Sequence, residues 1–134
     1  MILGVAYKKN VSDCRESPAL DVMRLLSDKG AILSYNDPLV PTLHLGGSVL
    51  NSIEASRAEI AKHDCVVILT DHSVYDIPMI VDAAKLVIDT RNSTKNLHAH
   101  KDRIIKLGAG NNVPSSSAHD DEHEAMPPPR AAAR

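Results

Sequence analysis

Residues 65–69, Cys-Val-Val-Ile-Leu, constrain the fold more than any other stretch of the chain. All five are apolar, and polar residues bound them at Asp64 and at Thr70-Asp71. Side chains alternate between the two faces of a strand, so an unbroken apolar run marks a strand covered on both faces. Helices supply that cover when they cross over between parallel strands. The chain has no Phe and no Trp, and its only aromatics are Tyr7, Tyr35 and Tyr75. The core is therefore built from Val, Ile and Leu.

The remaining segments fall in around this strand. Residues 2–6 predict a first strand, cut close to Met1. Ser17-Pro18 opens a helix, because Ser caps well and Pro suits the first turn. Leu20, Met23, Leu25 and Leu26 give it an apolar stripe, and Lys29-Gly30 ends it. Residues 31–35 predict a second strand, stopped by Asp37-Pro38 and Pro41. Residues 43–50 are ambiguous, with Gly46-Gly47 marking a turn or an exposed loop. Ser52 is the expected cap of a helix over 53–63. Residues 76–84 predict a short helix with Pro78 in its first turn, and 85–89 a fourth strand. A short last strand is expected at 104–107. Alternating strands and helices imply an α/β fold: a Rossmann-like open parallel sheet of about five strands with helices on both faces. One folded domain is expected over 1–108. Residues 109–134, with Pro114, three serines, an acidic cluster and Pro127-Pro128-Pro129, are expected to form a disordered tail.

Charge excludes some functions. The 134 residues carry a net charge of −2, and residues 1–110 hold thirteen cations and thirteen anions. That balance gives no general attraction to nucleic acid or to an anionic membrane. No apolar run approaches the roughly 18 residues of a membrane span. Met1 to Ala6 lacks the basic start of a signal peptide. Cys14 and Cys65 are too far apart for a disulfide scaffold or zinc ribbon, so a cytoplasmic setting is expected.

In open α/β sheets, ligands bind beyond the carboxyl ends of the strands. Tyr7-Lys8-Lys9, Asp13 and Arg15 follow the first strand, and Asn36-Asp37 the second. Thr70-Asp71-His72 follow the third, and Asp89-Thr90-Arg91-Asn92 the fourth. Lys8, Arg91 and the N-terminus of the Ser17 helix thus share one rim, an arrangement suited to phosphate or diphosphate. The residues alone leave a second reading open, in which these are solvated loop charges partly paired with Asp13, Asp71 or Asp89. Other motifs are weaker. Gly108-Ala109-Gly110 has no helix behind it and is not a dinucleotide fingerprint. His98, His100, His119 and His123 lack companions at metal-ligand spacing, so no metal site is expected. Cys14, beside Arg15, has no base at defined spacing, and Cys65 opens the apolar strand; both read as structural thiols.

The block Leu3-Gly4-Val5-Ala6-Tyr7-Lys8-Lys9-Asn10-Val11-Ser12-Asp13-Cys14-Arg15-Glu16-Ser17-Pro18-Ala19 resembles the C-terminal, UDP-binding domain of the UDP-glucose/GDP-mannose dehydrogenase family. The resemblance continues, in order and spacing, through Tyr35 to Pro41, Asp64 to Asp71 and Asp89-Thr90-Arg91-Asn92. Tyr7 and the Asp-Thr-Arg-Asn block look more like the branch acting on UDP-N-acetylated hexosamines. Enzymes of this family oxidise the C6 alcohol of a nucleotide sugar to a carboxylate with two NAD⁺ in succession. The resemblance implies UDP-sugar contacts at Tyr7, Lys8 and Arg91, and an NAD contact at Arg15. It implies no catalytic residue, because the NAD fingerprint, the catalytic cysteine segment, the catalytic lysine and the dimerising helices are absent from this sequence. The expectation is a nucleotide-binding module that is inactive alone and whose partners are a UDP-sugar and the missing dehydrogenase domains. A stand-alone, non-catalytic nucleotide-binding module and a degenerate gene fragment are the alternatives.

Overall fold

The computed structural model describes residues 1–108. The expected tail over 109–134 lies outside the described residues. Five strands form one parallel sheet: β1 (Ile2–Leu3), β2 (Tyr35–Asn36), β5 (Val66–Ile68), β6 (Val87–Asp89) and β7 (Ile104–Lys106), in the order β2-β1-β5-β6-β7. A separate antiparallel hairpin joins β3 (Thr42–Leu45) to β4 (Ser48–Asn51). The described residues also form three α-helices: α1 (Pro18–Asp28), α2 (Arg57–Lys62) and α3 (Ile77–Ala83). A 3₁₀ turn at Lys101–Arg103 leads into β7. No helix among the described residues is long and apolar enough to cross a membrane.

The sheet has an apolar layer on each face. Leu3, Val66, Ile68, Val87 and Ile104 pack with Ile60 of α2 and with Ile80, Val81 and Ala84 in and after α3. Ile2, Val5 and Tyr35 pack on the other face with Ala19 and Met23 of α1 and with Leu43 and Leu45 of the hairpin. β5 lies third in the five-strand sheet, with Val66 and Ile68 buried. The doubly covered parallel sheet is thus the one residues 65–69 predict. Tyr35 is the one fully buried aromatic, and its hydroxyl donates to the Val40 carbonyl at 2.9 Å.

Three expectations need correction. The first strand is shorter than 2–6, because Gly4 turns the chain at φ 79. Beyond it, the N–H groups of Val5 and Ala6 point to a side chain rather than to a strand. The second strand is 35–36 rather than 31–35. Register pairs Tyr35 with Ile2, which leaves 31–33 without a partner in β1, and Ile32 is 97% exposed. Ser52 is not a helix cap. It exchanges hydrogen bonds with the backbone of Asp37, and the cap falls to Ser56, whose Oγ accepts from Glu59 N–H at 3.2 Å. Gly46-Gly47 proves to be the turn: both have positive φ, 55° and 81°, as a two-residue hairpin with the sheet's twist requires.

The strand order reverses between β1 and β5, with β2 on one side and β6 and β7 on the other, so the carboxyl ends of these two parallel strands open on a common crevice. Gly4 is what lets those ends approach. A Cβ there would stand 2.2 Å from the Thr70 carbonyl oxygen, whereas Gly30, also at positive φ, has open space around it. Gly4→Ala is expected to lower stability by about 3 kcal/mol or more, from clash and backbone strain together. Gly30→Ala, with strain alone, should cost about 1 kcal/mol. Urea unfolding of the two variants checks the difference; equal costs would remove the steric role of Gly4.

Candidate functional site

The loops beyond β1, β2 and β5 meet on one buried carboxylate. Asp37 Oδ2 accepts from Val5 N–H at 2.9 Å, Ala6 N–H at 3.1 Å and His72 Nε2 at 2.8 Å. Its Oδ1 accepts from Leu39 N–H at 2.9 Å. The side chains are 0% exposed for Asp37 and 1% for His72. His72 Nδ1 in turn accepts from Asn10 N–H at 2.9 Å. A backbone amide can only donate, so the ring hydrogen sits on Nε2 and points at Asp37. Two hydroxyls, Thr70 Oγ1 and Ser17 Oγ, both donate to the Ala6 carbonyl. Tyr75 donates to the Asn36 carbonyl at 3.0 Å. Burial, and after it the nearby Asp37 charge, pushes the Tyr75 phenol above its ordinary value, so it remains a donor.

A second buried carboxylate shapes the loop after β6. Asp89 accepts from the backbone N–H groups of Arg91, Ser93 and Thr94 and from the Thr94 hydroxyl, at 2.7–3.1 Å. Burial alone would raise its pKa, but the bonds from Thr94, Ser93 and Arg91 outweigh it and hold the carboxyl below its ordinary value. Asp89 therefore serves the loop rather than an ion pair.

Arg91 projects from that loop into a groove of about 290 Å³, lined also by Lys9, Asp71, His72, Tyr75 and Lys95. Its Nε lies 3.7 Å from Asp71 Oδ1, and the side chain is half exposed. Tyr7 and Arg15 line a separate hollow of about 340 Å³ with Asp13 and Glu16. Arg15 is 88% exposed, its guanidinium forked onto Asp13 at 3.0–3.1 Å. Those bonds from Arg15 hold the Asp13 carboxyl below its ordinary range. Lys8 is exposed on the same loop. Of the sequence-derived residues, Tyr7 and Arg15 share one hollow, Arg91 lines another, and Lys8 lines neither. The pairing of Asp13 and Asp71 with cations is observed alongside the rim arrangement. Lys9 and Lys95, which line the Arg91 groove, were not singled out from the sequence.

The remaining features lie elsewhere. A larger hollow, about 740 Å³, sits at the amino ends of the strands among Met1, Leu33, Cys65 and Leu86. Cys65 is half buried, and burial pushes its thiol up, away from nucleophilic use. His100 Nε2 lies 3.0 Å from Asp82 Oδ1 of α3.

Comparison with known proteins follows the same lines. Residues 1–96 match the model of the UDP-glucose/GDP-mannose dehydrogenase family, UDP binding domain. A UDP-N-acetyl-D-mannosamine dehydrogenase of Methanococcus maripaludis is 37% identical over 99 residues, covering 68% of this chain and 22% of that protein. A UDP-glucose 6-dehydrogenase of Rhizobium meliloti is 28% identical over 115 residues, covering 80% of this chain and 25% of its own length. Among solved structures, the UDP-N-acetyl-mannosamine dehydrogenase Cap5O from Staphylococcus aureus aligns with TM-score 0.57 and 27% identity, over 78% of this chain and 24% of that one. The chain thus spans about a quarter or less of the proteins it matches.

Two outcomes follow from the buried carboxylates. Asp37→Asn puts an NH₂ among four donors and should cost about 3 kcal/mol or more, read from the urea midpoint. The Asp89 carboxyl is depressed in the folded state, so its contribution is complete above the ordinary carboxylate pKa of about 4. It is lost as pH falls from there through the folded value. Acid titration of stability should show a drop below about pH 4 that is smaller in Asp89→Asn. An identical acid slope in the variant would show that Asp89 does not carry it.

Proposed function

Because the chain belongs to the UDP-glucose/GDP-mannose dehydrogenase family, as its UDP binding domain, we propose that it supplies the nucleotide half of the UDP-sugar site of a nucleotide-sugar 6-dehydrogenase. The observation that carries this reading is the groove at the carboxyl ends of β5 and β6, where Arg91 stands with Lys9 and Lys95 in a domain otherwise balanced in charge. A diphosphate offers oxygens that a guanidinium fork and ammonium groups bind by charge-assisted hydrogen bonds. Tyr7 and Lys8, exposed on the adjoining loop, complete the proposed substrate set with Arg91. Relatives named as dehydrogenases of UDP-N-acetyl-D-mannosamine favour an N-acetylated hexosamine as the sugar.

NAD belongs to this reading as the oxidant of the complete enzyme, which takes the C6 alcohol to the carboxylate in two steps. The residue of this chain proposed to meet it is Arg15. Its guanidinium is exposed and forked on an exposed carboxylate, a pair worth little in water, so exchanging Asp13 for a cofactor phosphate is inexpensive. Residues 1–108 bind and position in this reading, and the oxidation itself is assigned to domains on the remainder of the enzyme. The folded unit is proposed to end near 108, and the enzyme to work in the cytoplasm.

Calorimetric titration with UDP tests the site. The expected result is weak, salt-sensitive binding, since half a cleft leaves the ligand partly solvated. Lys8→Ala/Arg91→Glu should weaken it by roughly tenfold or more, the loss of one charge-assisted contact or two. Equal binding by the wild type and this variant would sink the rim site. Purified chain mixed with NAD⁺ and a UDP-sugar should produce no NADH; sustained absorbance at 340 nm would show that the chain is itself an enzyme.

A further inference from the structure

We propose that His72 is a positioning residue for anion binding in the Arg91 groove: anchored on Asp37 through Nε2, it sets the Lys9–Asn10 peptide through Nδ1. This rests on the UDP-site reading above and adds to it the element that orients the cationic loop.

The geometry leaves His72 little else to do. Its side chain is 1% exposed, and both ring nitrogens are engaged, one by Asn10 N–H and one with Asp37. It has neither a free lone pair nor a free hydrogen to offer a ligand. What it holds is a segment 62 residues away in sequence. Asn10 sits at φ 60, in the left-handed region, and its side chain closes the contact. Asn10 Nδ2 donates to Ser73 Oγ at 2.8 Å, and Ser73 N–H donates to Asn10 Oδ1 at 2.9 Å. Lys9, the preceding residue, lines the groove with Arg91 and Lys95. The loop carrying Tyr7, Lys8 and Lys9 is closed on itself by Tyr7 N–H donating to the Asp13 carbonyl at 2.7 Å, and its Lys9–Asn10 end takes its place from His72 and Ser73. A long, flexible lysine contributes to anion binding only if its backbone is already placed, because otherwise ordering it offsets the contact.

The two ring contacts can be separated. His72→Gln keeps an N–H near the Nε2 position for Asp37 and loses the acceptor for Asn10. His72→Asn keeps an acceptor near the Nδ1 position and leaves Asp37 short of one donor. If His72 merely stabilises the fold, UDP affinity follows stability in both variants. If it positions the loop, the orders cross. Gln should be the more stable variant yet bind UDP roughly tenfold more weakly than wild type. Asn should be the less stable yet, at a temperature where it is folded, bind UDP more tightly than Gln. Amide exchange of Asn10 gives a readout without ligand: slow in wild type and Asn, faster by about tenfold in Gln. Ring ¹⁵N spectra should show the hydrogen on Nε2. Unchanged UDP binding in Gln with wild-type binding intact would overturn the positioning role alone, as would affinities that rank with stability or a hydrogen on Nδ1. A wild type that binds no UDP overturns this inference and the functional reading together.

Discussion

The Asp37 carboxylate is the point on which the rim of this domain depends. It is fully buried with no cation beside it, and it is held by four donors: three backbone N–H groups and one imidazole. A buried charge is tolerable only when its lone pairs are engaged in this way. Because the donors come from three separate segments, satisfying one carboxylate fixes three loops relative to one another. The cost of leaving the charge unsatisfied is what gives this junction its rigidity. The exit from β1, the turn after β2 and the strand end carrying His72 are one unit for that reason. Gly4 allows the same unit to close, since any Cβ there would strike Thr70.

This junction also explains which parts of the structure were legible in the sequence. The covered parallel sheet was legible because burial on two faces leaves a one-dimensional trace, the unbroken apolar run at 65–69. The Ser17-Pro18 and Asp76 helix starts were legible because caps act within three residues. Ser52 and Ser56 were both competent caps, and the choice between them was made by Asp37, whose backbone engages Ser52. The first strand looked longer because Val5 and Ala6 are apolar and buried like strand residues, while their N–H groups serve a carboxylate 32 residues on. A hydrogen bond across such a separation leaves no period in the sequence.

The site shows the same division. Asp37, Asp71, His72 and Asp89 were each visible as residues following strands, but nothing in their spacing tells which are buried. Tyr7, Lys8, Arg15 and Arg91 stood out through the family resemblance, whose long first block carries the loop intact. Lys9 and Lys95 went unmarked because a surface lysine has no signature until the fold lays it along a groove. Periodicity reports burial and local chemistry reports caps and turns, while the union of four strand ends into a rim is a product of topology.

The rim separates two kinds of charge. Its anions Asp37 and Asp89 are buried and saturated by amides, a hydroxyl and an imidazole, whereas its cations Lys8 and Arg15 are exposed and Arg91 half exposed. An anionic ligand approaching from solvent meets Lys8, Arg15 and Arg91, with Asp13 and Asp71 beside the two arginines and with Asp37 and Asp89 lying behind them. The interaction falls with distance and with the dielectric between charges, so cations in contact outweigh carboxylates set deeper. The carboxylates nevertheless set where the cations begin: Arg91 follows Asp89 by two residues and gives it a backbone N–H, and Lys8 follows Ala6 by two, whose N–H binds Asp37. Each buried anion thus acts as a foot for a loop that ends in a cation. Two of the domain's acids are in this way withdrawn behind the rim and saturated, while Asp13 and Asp71 stay at it as the partners of Arg15 and Arg91.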